Sequence, residues 1–147
     1  KDIVIHRRGR LQVVDLILSV NGEYLNTYSA DGIIIATPTG STGYSMSAGG
    51  PIVDPKASLL LVTPISPHTL NAKSIVLGAE DEITIEVAKR DQGQEEQLEV
   101  SFDGGHVELL GAGEKIIVKK AKVCTRILKL SRMSFLERLR KKLQGYT

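Results

Sequence analysis

Asn21-Gly22 separates two runs of strand-forming residues, "LQVVDLILSV" (Leu11 to Val20) and Glu23 to Ala30, and Asp31-Gly32 follows directly. Asn-Gly between apolar runs supplies the positive-φ positions of a tight hairpin, so this stretch commits the chain to antiparallel β structure. The return strand is expected to carry Tyr24 and Tyr28 on one face. Ile33-Ile34-Ile35-Ala36 is short and wholly apolar, as suits a strand buried on both faces. Further runs cover Leu59 to Ile65, Ile75 to Leu77, Ile83 to Ala88, Leu98 to Phe102, Val107 to Leu110 and Ile116 to Leu130. Gly78, Gly93, Asp103-Gly104-Gly105 and Gly111-Ala112-Gly113 divide most of them. "EITIEVAKR" alternates as a strand with one wet face does, whereas "DQGQEEQ" (Asp91 to Gln97) reads as an exposed loop or hairpin tip. Strands this short and closely spaced favour a mainly β, sandwich-like domain over a parallel α/β sheet.

Two places are expected to be helical. "SFLERLRKKL" opens with Ser134 and has Glu137 at capping-box spacing, so a basic helix is expected over about 134–144. Leu136, Leu139 and Leu143 share a face, and cations gather toward the C-terminal end, where the helix dipole favours them. A shorter helix is expected near Tyr44 to Ala48. No internal repeat is visible.

With 147 residues the chain is one domain long, enough to bury a core. No apolar stretch reaches the length of a membrane span, and no signal peptide is visible. The chain also lacks an initiator Met and reads as an excerpt from something longer. A single Cys124 rules out an internal disulfide framework and suits a reducing cytoplasm. Cys124 sits among strand formers without an obvious His partner. Charge is segregated: from Lys115 onward there are 11 Lys and Arg against one acid, Glu137, while the first 114 residues hold 8 basic and 16 acidic residues. The basic end could meet nucleic acid, but no aromatics interleave it for base stacking, and the acidic body would repel a phosphate backbone. It reads instead as a solvated edge strand and helix, or as a surface that pairs with acids of this chain or of a partner subunit.

"DGIIIATPTGSTGYSMSAGGPIV" (Asp31 to Val53) carries the chemistry. From Thr37 to Ser47 six side chains bear hydroxyls: Thr37, Thr39, Ser41, Thr42, Ser45 and Ser47. Gly40, Gly43, Gly49 and Gly50 allow close backbone approach. If a helix starts near Thr42 or Gly43, its free amides face back into the loop and suit a sugar-phosphate, with Tyr44 as a flat surface for a ring. An equally open reading is a sharp strand-to-helix connection whose Ser and Thr only cap the helix. No Gly-Lys pair of a Walker loop occurs, and "GYSMS" has Ser where a nucleophile elbow needs its last Gly. His6, His68 and His106 lie far apart and lack metal-ligand spacing. His68, in "PISPHTL", either lines a cleft or is a structural hydrogen bonder. Asp31 and Asp103, both in Asp-Gly turns, read on their own as turn residues.

The same segment resembles the signature of the NAD kinases, which runs close to D-G-[apolar]3-x-T-P-T-G-S-T-A-Y-x-x-S-A-G-G-P. "PISPHTL" (Pro64 to Leu70) resembles the family's second motif, "FDGG" (Phe102 to Gly105) its Asp-Gly-Gln turn, and "KDIVIH" the end of its Asn-acid motif. The order matches from Lys1 to the C-terminal helix. Three positions depart from the pattern: Gly43 for Ala, Gly105 for Gln and Lys1 for Asn.

The resemblance implies the β domain of the NAD kinase/diacylglycerol kinase-like fold, used for NAD binding and oligomerisation. The catalytic Asp would lie in a Gly-Gly-Asp-Gly motif of an N-terminal α/β domain not found in these residues. The implied reaction moves a phosphoryl group from ATP or polyphosphate to the adenosine ribose 2′-hydroxyl of NAD, with Mg or Mn offsetting the donor's charge. Thr42, Gly43 and Ser47 would lie against the adenosine part, and Tyr44 would pack on it. Asp2 would fill the acidic position of the Asn-acid pair. Asp31 and Ser66 would reach NAD held mainly by a neighbouring subunit of a dimer or tetramer. Thr39, Gly40 and Ser41 would form the phosphate loop, with His68 and Asp103 at the cleft rim. No nucleic-acid or membrane partner is implied, and the location is cytoplasmic. The excerpt alone is expected to be inactive. A non-catalytic NAD-binding module and a related lipid kinase are the alternatives.

Overall fold

The all-apolar run expected to be buried twice forms β4 (Gly32–Ala36), and every residue in it is buried. Its side chains alternate between two clusters. Ile33 and Ile35 enter the main core, and Ile34 and Ala36 enter a smaller one on the opposite face with Leu61 and Ile65. The structure, a computed structural model, describes residues 1–9, 13–89 and 97–145. Around β4 stand β1 (Asp2–Arg7), β2 (Val14–Val20), β3 (Glu23–Ala30) and β5 (Leu59–Ile65). They are followed by β6 (Ile75–Gly78), β7 (Ile83–Val87), β8 (Gln97–Phe102), β9 (His106–Gly111) and β10 (Lys115–Val118).

Among the described residues these strands make two antiparallel sheets, in the orders β6-β5-β4-β1-β8-β9 and β10-β7-β2-β3. Their facing sides share one core. Ile5, Ile33, Val62, Leu98 and Val100 come from the first sheet, and Leu16, Leu18, Tyr28, Ile83 and Ile85 from the second. Period-2 alternation in β2 and β7 turns one face of each strand inward, so the sandwich follows from the pattern.

Two expectations need correction, on the tyrosine faces and on the length of the last strand. A register shift at Leu18/Ser19 leaves Leu25 as an extra residue, so Tyr24 pairs with Ser19 while Tyr28 pairs with Leu16. The two tyrosines therefore face opposite ways: Tyr28 is 2% exposed and Tyr24 60%. The last strand stops at Val118, and residues 119–130 find no pairing strand among the described residues, leaving Val123, Ile127, Leu128 and Leu130 exposed. Asp2–Arg7, quoted above only for its family likeness, is a central strand between β4 and β8. In the C-terminal helix α2 (Phe135–Leu143), Leu136 and Leu143 of the expected apolar face are exposed. Ser134 does cap that helix, accepting from the Glu137 amide at 3.1 Å. The N-terminal part of "LQVVDLILSV" and the tip residues 91–96 lie outside the described residues.

Candidate functional site

Beyond β4 the chain passes Thr37 and Pro38, makes one 3-10 turn over Thr39–Thr42, and after Gly43 forms α1 (Tyr44–Ser47), a single helical turn. The turn starts where β1 starts. The Thr37 amide donates to the Lys1 carbonyl at 2.9 Å, and the Thr37 hydroxyl does so at 3.1 Å. A methyl added at Gly40 would stand 2.1 Å from that carbonyl, so only glycine lets the turn lie this close to β1. At Gly43 a methyl would sit 3.2 Å from the Gly40 carbonyl and 3.4 Å from Asp2 Oδ2, a tight position that glycine leaves open.

Both readings of the hydroxyl-rich loop hold, on different sides of it. Ser41 is fully buried. Its hydroxyl donates to the Pro38 carbonyl at 2.7 Å and accepts from the Val53 amide at 3.0 Å. Ser45 is also fully buried, its hydroxyl 3.0 Å from that of Thr63, to which Ser74 donates at 3.1 Å. The Ser41 amide bonds Thr37 at 3.0 Å, and the Gly43 amide bonds Gly40 at 2.9 Å. These groups build the loop. Thr39, Tyr44 and Ser47 are exposed, and Thr42 and Gly43 are half-exposed. This second set can meet a ligand: hydroxyls around an accessible aromatic ring that is 44% exposed. With one helical turn, the macrodipole invoked for an anion is slight; the outward side chains dominate.

Asp2 and Asp103 join this end of the sheet. The Asp103 amide donates to the Asp2 carbonyl at 3.0 Å, and the Asp2 amide donates to Asp103 Oδ1 at 2.9 Å. Asp103 adopts a left-handed conformation, φ +52°, in a turn that projects it outward. Gly105 has room for a side chain, the nearest atom to an added methyl being 3.7 Å away. A cavity of about 420 Å³ opens here between Asp2, Thr37, Pro38, Asp103 and Lys119.

The other sequence-predicted residues gather at the opposite end of β4. Asp31 precedes that strand, and its carboxylate accepts from Arg7 Nε at 3.0 Å in a largely buried ion pair. Its amide donates to the Ile65 carbonyl at 2.9 Å, which brings it beside Ser66. Ser66 is exposed in a left-handed conformation, φ +45°, and the His68 amide donates to Ser29 at 2.9 Å. An antiparallel strand rises about 3.4 Å per residue, so Asp31 and Thr37 are roughly 20 Å apart. One chain thus carries two sets: Asp2, Thr39–Ser47 and Asp103 at one end, and Asp31, Ser66 and His68 at the other.

One contact escaped the sequence reading. Lys142 Nζ, on α2, donates to the Thr42 carbonyl at 3.0 Å and lies 3.5 Å from its hydroxyl. The charge segregation was its only trace. Among the described residues no cluster of three or more His, Cys, Asp or Glu side chains could hold a metal ion, and no helix is long and apolar enough to cross a membrane.

At the end of its central strand this two-sheet antiparallel sandwich carries an exposed turn of threonine, serine and tyrosine side chains. The ATP-NAD kinase C-terminal domain model matches residues 1–130, and the chain belongs to that family. It is 55% identical over 146 residues to an NAD kinase of Agathobacter rectalis, covering 99% of this chain and 52% of that protein. An NAD kinase of Lachnospira eligens is 47% identical over 97% of this chain and 52% of its own length. The chain thus spans about half the length of the curated relatives it matches. Among solved structures, yeast NADH kinase complexed with NADH aligns at TM-score 0.73 and 36% identity, over 80% of this chain and 33% of that one. An Archaeoglobus fulgidus NAD kinase in complex with ATP aligns at 0.72 and 30%, over 82% and 45%.

Proposed function

We propose that the protein carrying this chain is an NAD kinase, and that residues 1–147 are its dinucleotide-binding and oligomerisation domain. The outward set at the turn carries the reading: Thr39, Thr42, Tyr44 and Ser47 leave a polar surface with one aromatic ring, while Ser41 and Ser45 hold it rigid from beneath. Thr42 and Ser47 bond the adenosine part of NAD, Gly43 leaves room for it, Tyr44 packs on the adenine, and the Asp2 carboxylate closes the ribose side. Thr39 faces the phosphates. Gly40 and Ser41 shape that loop without offering side-chain contacts, because their space and hydrogen bonds are already committed. His68 and Asp103 stand at the cleft rims.

The adenosine 2′-oxygen bonds to the terminal phosphorus of ATP or polyphosphate, the bridging P–O bond breaks, and the hydroxyl proton leaves to a base. That base and the rest of the cleft belong to a second domain, so this domain alone is inactive. A divalent cation, Mg or Mn, enters on the donor phosphates and offsets their charge. Two separate sets of binding residues on one chain support a homo-oligomer: one copy presents its turn, and a second presents Asp31 and Ser66 to the same NAD. The titles of the two solved neighbours, complexes with NADH and with ATP, support both ligands. A cytoplasmic location belongs to the same reading.

The test is NADP formation from NAD with Mg and ATP, or with polyphosphate, by the full-length protein and by residues 1–147. Turnover by the first and none by the second is expected. No turnover by the full-length protein overturns the kinase reading, and turnover by the fragment overturns the two-domain division.

A further inference from the structure

We propose that Arg7 positions the Asp31 carboxylate for NAD held mainly by a second copy of the chain, without touching the dinucleotide itself. This rests on the two-copy reading above and adds the residue that readies one copy's contribution. Arg7 ends β1 and lies just beyond His6 and Gly32, the last residues that pair β1 with β4. The Arg7 amide donates to the Asp31 carbonyl at 3.0 Å, and Arg7 Nε donates to Asp31 Oδ1 at 3.0 Å. On the other side the Asp31 amide donates to the Ile65 carbonyl at 2.9 Å. Both backbone groups of Asp31 and one carboxylate oxygen are therefore held, by β1 on one flank and β5 on the other.

The ion pair is sheltered. Its side chains are 13% and 25% exposed, whereas those of the neighbouring Arg8–Glu99 pair are 54% and 46% exposed. In such a place desolvation offsets much of the attraction, so an apolar pair of similar shape would join the strands about as well. What the guanidinium adds is direction, because its bond to Oδ1 fixes the rotation of the carboxylate. Among the described residues no hydrogen bond to Oδ2 is seen. An ionised carboxylate only accepts, so Oδ2 is left for an N–H or O–H of a ligand, and NAD carries both on its amino and hydroxyl groups. Ser66 stands beside it, exposed and left-handed, so the held acid opens onto the surface next to a hydroxyl. Thr37 lies roughly 20 Å away at the far end of β4, so this acid serves the turn of a different copy.

The test uses the full-length protein and calorimetric titration of NAD. Arg7→Gln is expected to raise the NAD Kd about tenfold, the size of a lost hydrogen bond to a charged group, and Arg7→Lys to recover part of it. Added to Asp31→Asn, Arg7→Gln should change Kd by less than about twofold, because both act through one carboxylate. That double variant leaves no buried charge unpaired, so the comparison stands even where Arg7→Gln alone folds poorly. Oligomers assembled from Arg7→Gln and Tyr44→Ala copies then place the effect. The intact turn of the first copy meets the intact Arg7 and Asp31 of the second, so a share of the sites should regain the unsubstituted protein's Kd, which neither variant shows alone. An unchanged Kd in Arg7→Gln, or a further loss of about tenfold when it is added to Asp31→Asn, overturns the proposal. So does a mixture that regains no such sites when Asp31→Asn mixed with Tyr44→Ala does regain them. Recovery in neither mixture overturns the two-copy reading itself, and the proposal with it.

Discussion

Replacing Ser41 with alanine separates loop construction from ligand contact. The Ser41 hydroxyl is fully buried and stitches Pro38 to Val53, twelve residues on. Its removal has unequal consequences at the two ends. The Pro38 carbonyl keeps the Ser41 amide at 3.2 Å, so that acceptor stays satisfied. The Val53 amide has the hydroxyl as its partner at 3.0 Å and is left unpaired in a half-buried position. An orphaned amide costs about 1–3 kcal/mol. At about 2–4 °C per kcal/mol for a protein of several hundred residues, a central value near 2 kcal/mol lowers the melting temperature by roughly 4–8 °C. Thermal unfolding of the full-length protein by circular dichroism reads this directly, with Thr39→Ala as the control. Thr39 is exposed and makes no side-chain hydrogen bond within the described residues, so its loss is expected to shift melting by no more than about 1–2 °C. KM for the donor should change little in Ser41→Ala at 20 °C. An unchanged melting temperature together with a donor KM raised tenfold would refute the reasoning, because the hydroxyl would then have been serving a phosphate.

Two further perturbations test the scaffold. Thr63→Val keeps the shape of a residue that is 1% exposed but strips the partner from the buried Ser45 hydroxyl and from Ser74. A loss of about 1–3 kcal/mol is expected in urea unfolding, and Thr63→Ser should recover most of it. Burial raises the Tyr28 phenol above its ordinary value, against a smaller lowering from Asn26. The folded state therefore holds that proton longer than the unfolded one. Stability from this group is complete below about pH 10 and is lost as pH rises through the folded value. Tyr28→Phe should flatten the alkaline limb of the melting-temperature profile; an unaltered limb would contradict the assignment.

Much of the sandwich could be read from residue order, because burial imposes period 2 wherever one face is wet. β7 and β4 behave as their patterns require, one half-buried and the other buried twice. The failures have physical causes. "KVCTRILKL" contains good strand formers, but a strand needs a neighbour for its amides, and among the described residues none lies beside 119–130. A one-residue bulge beside Ser19 reverses every face beyond it, and no composition signal marks its place. In the loop, six hydroxyls were visible, yet which of them point inward depends on the 3-10 turn and on partners as distant as Val53 and Thr63. Lys142 and Thr42 are separated by 100 positions, and no local periodicity links them.

The account rests on the exposed side of the turn as the dinucleotide's seat. Calorimetric titration of NAD into the full-length protein and its Tyr44→Ala variant measures this without requiring turnover. Loss of base–aromatic stacking, worth about 1–3 kcal/mol, predicts a Kd raised roughly 5- to 150-fold, with the melting temperature of the free protein nearly unchanged. Equal NAD affinity in the two proteins would contradict the account.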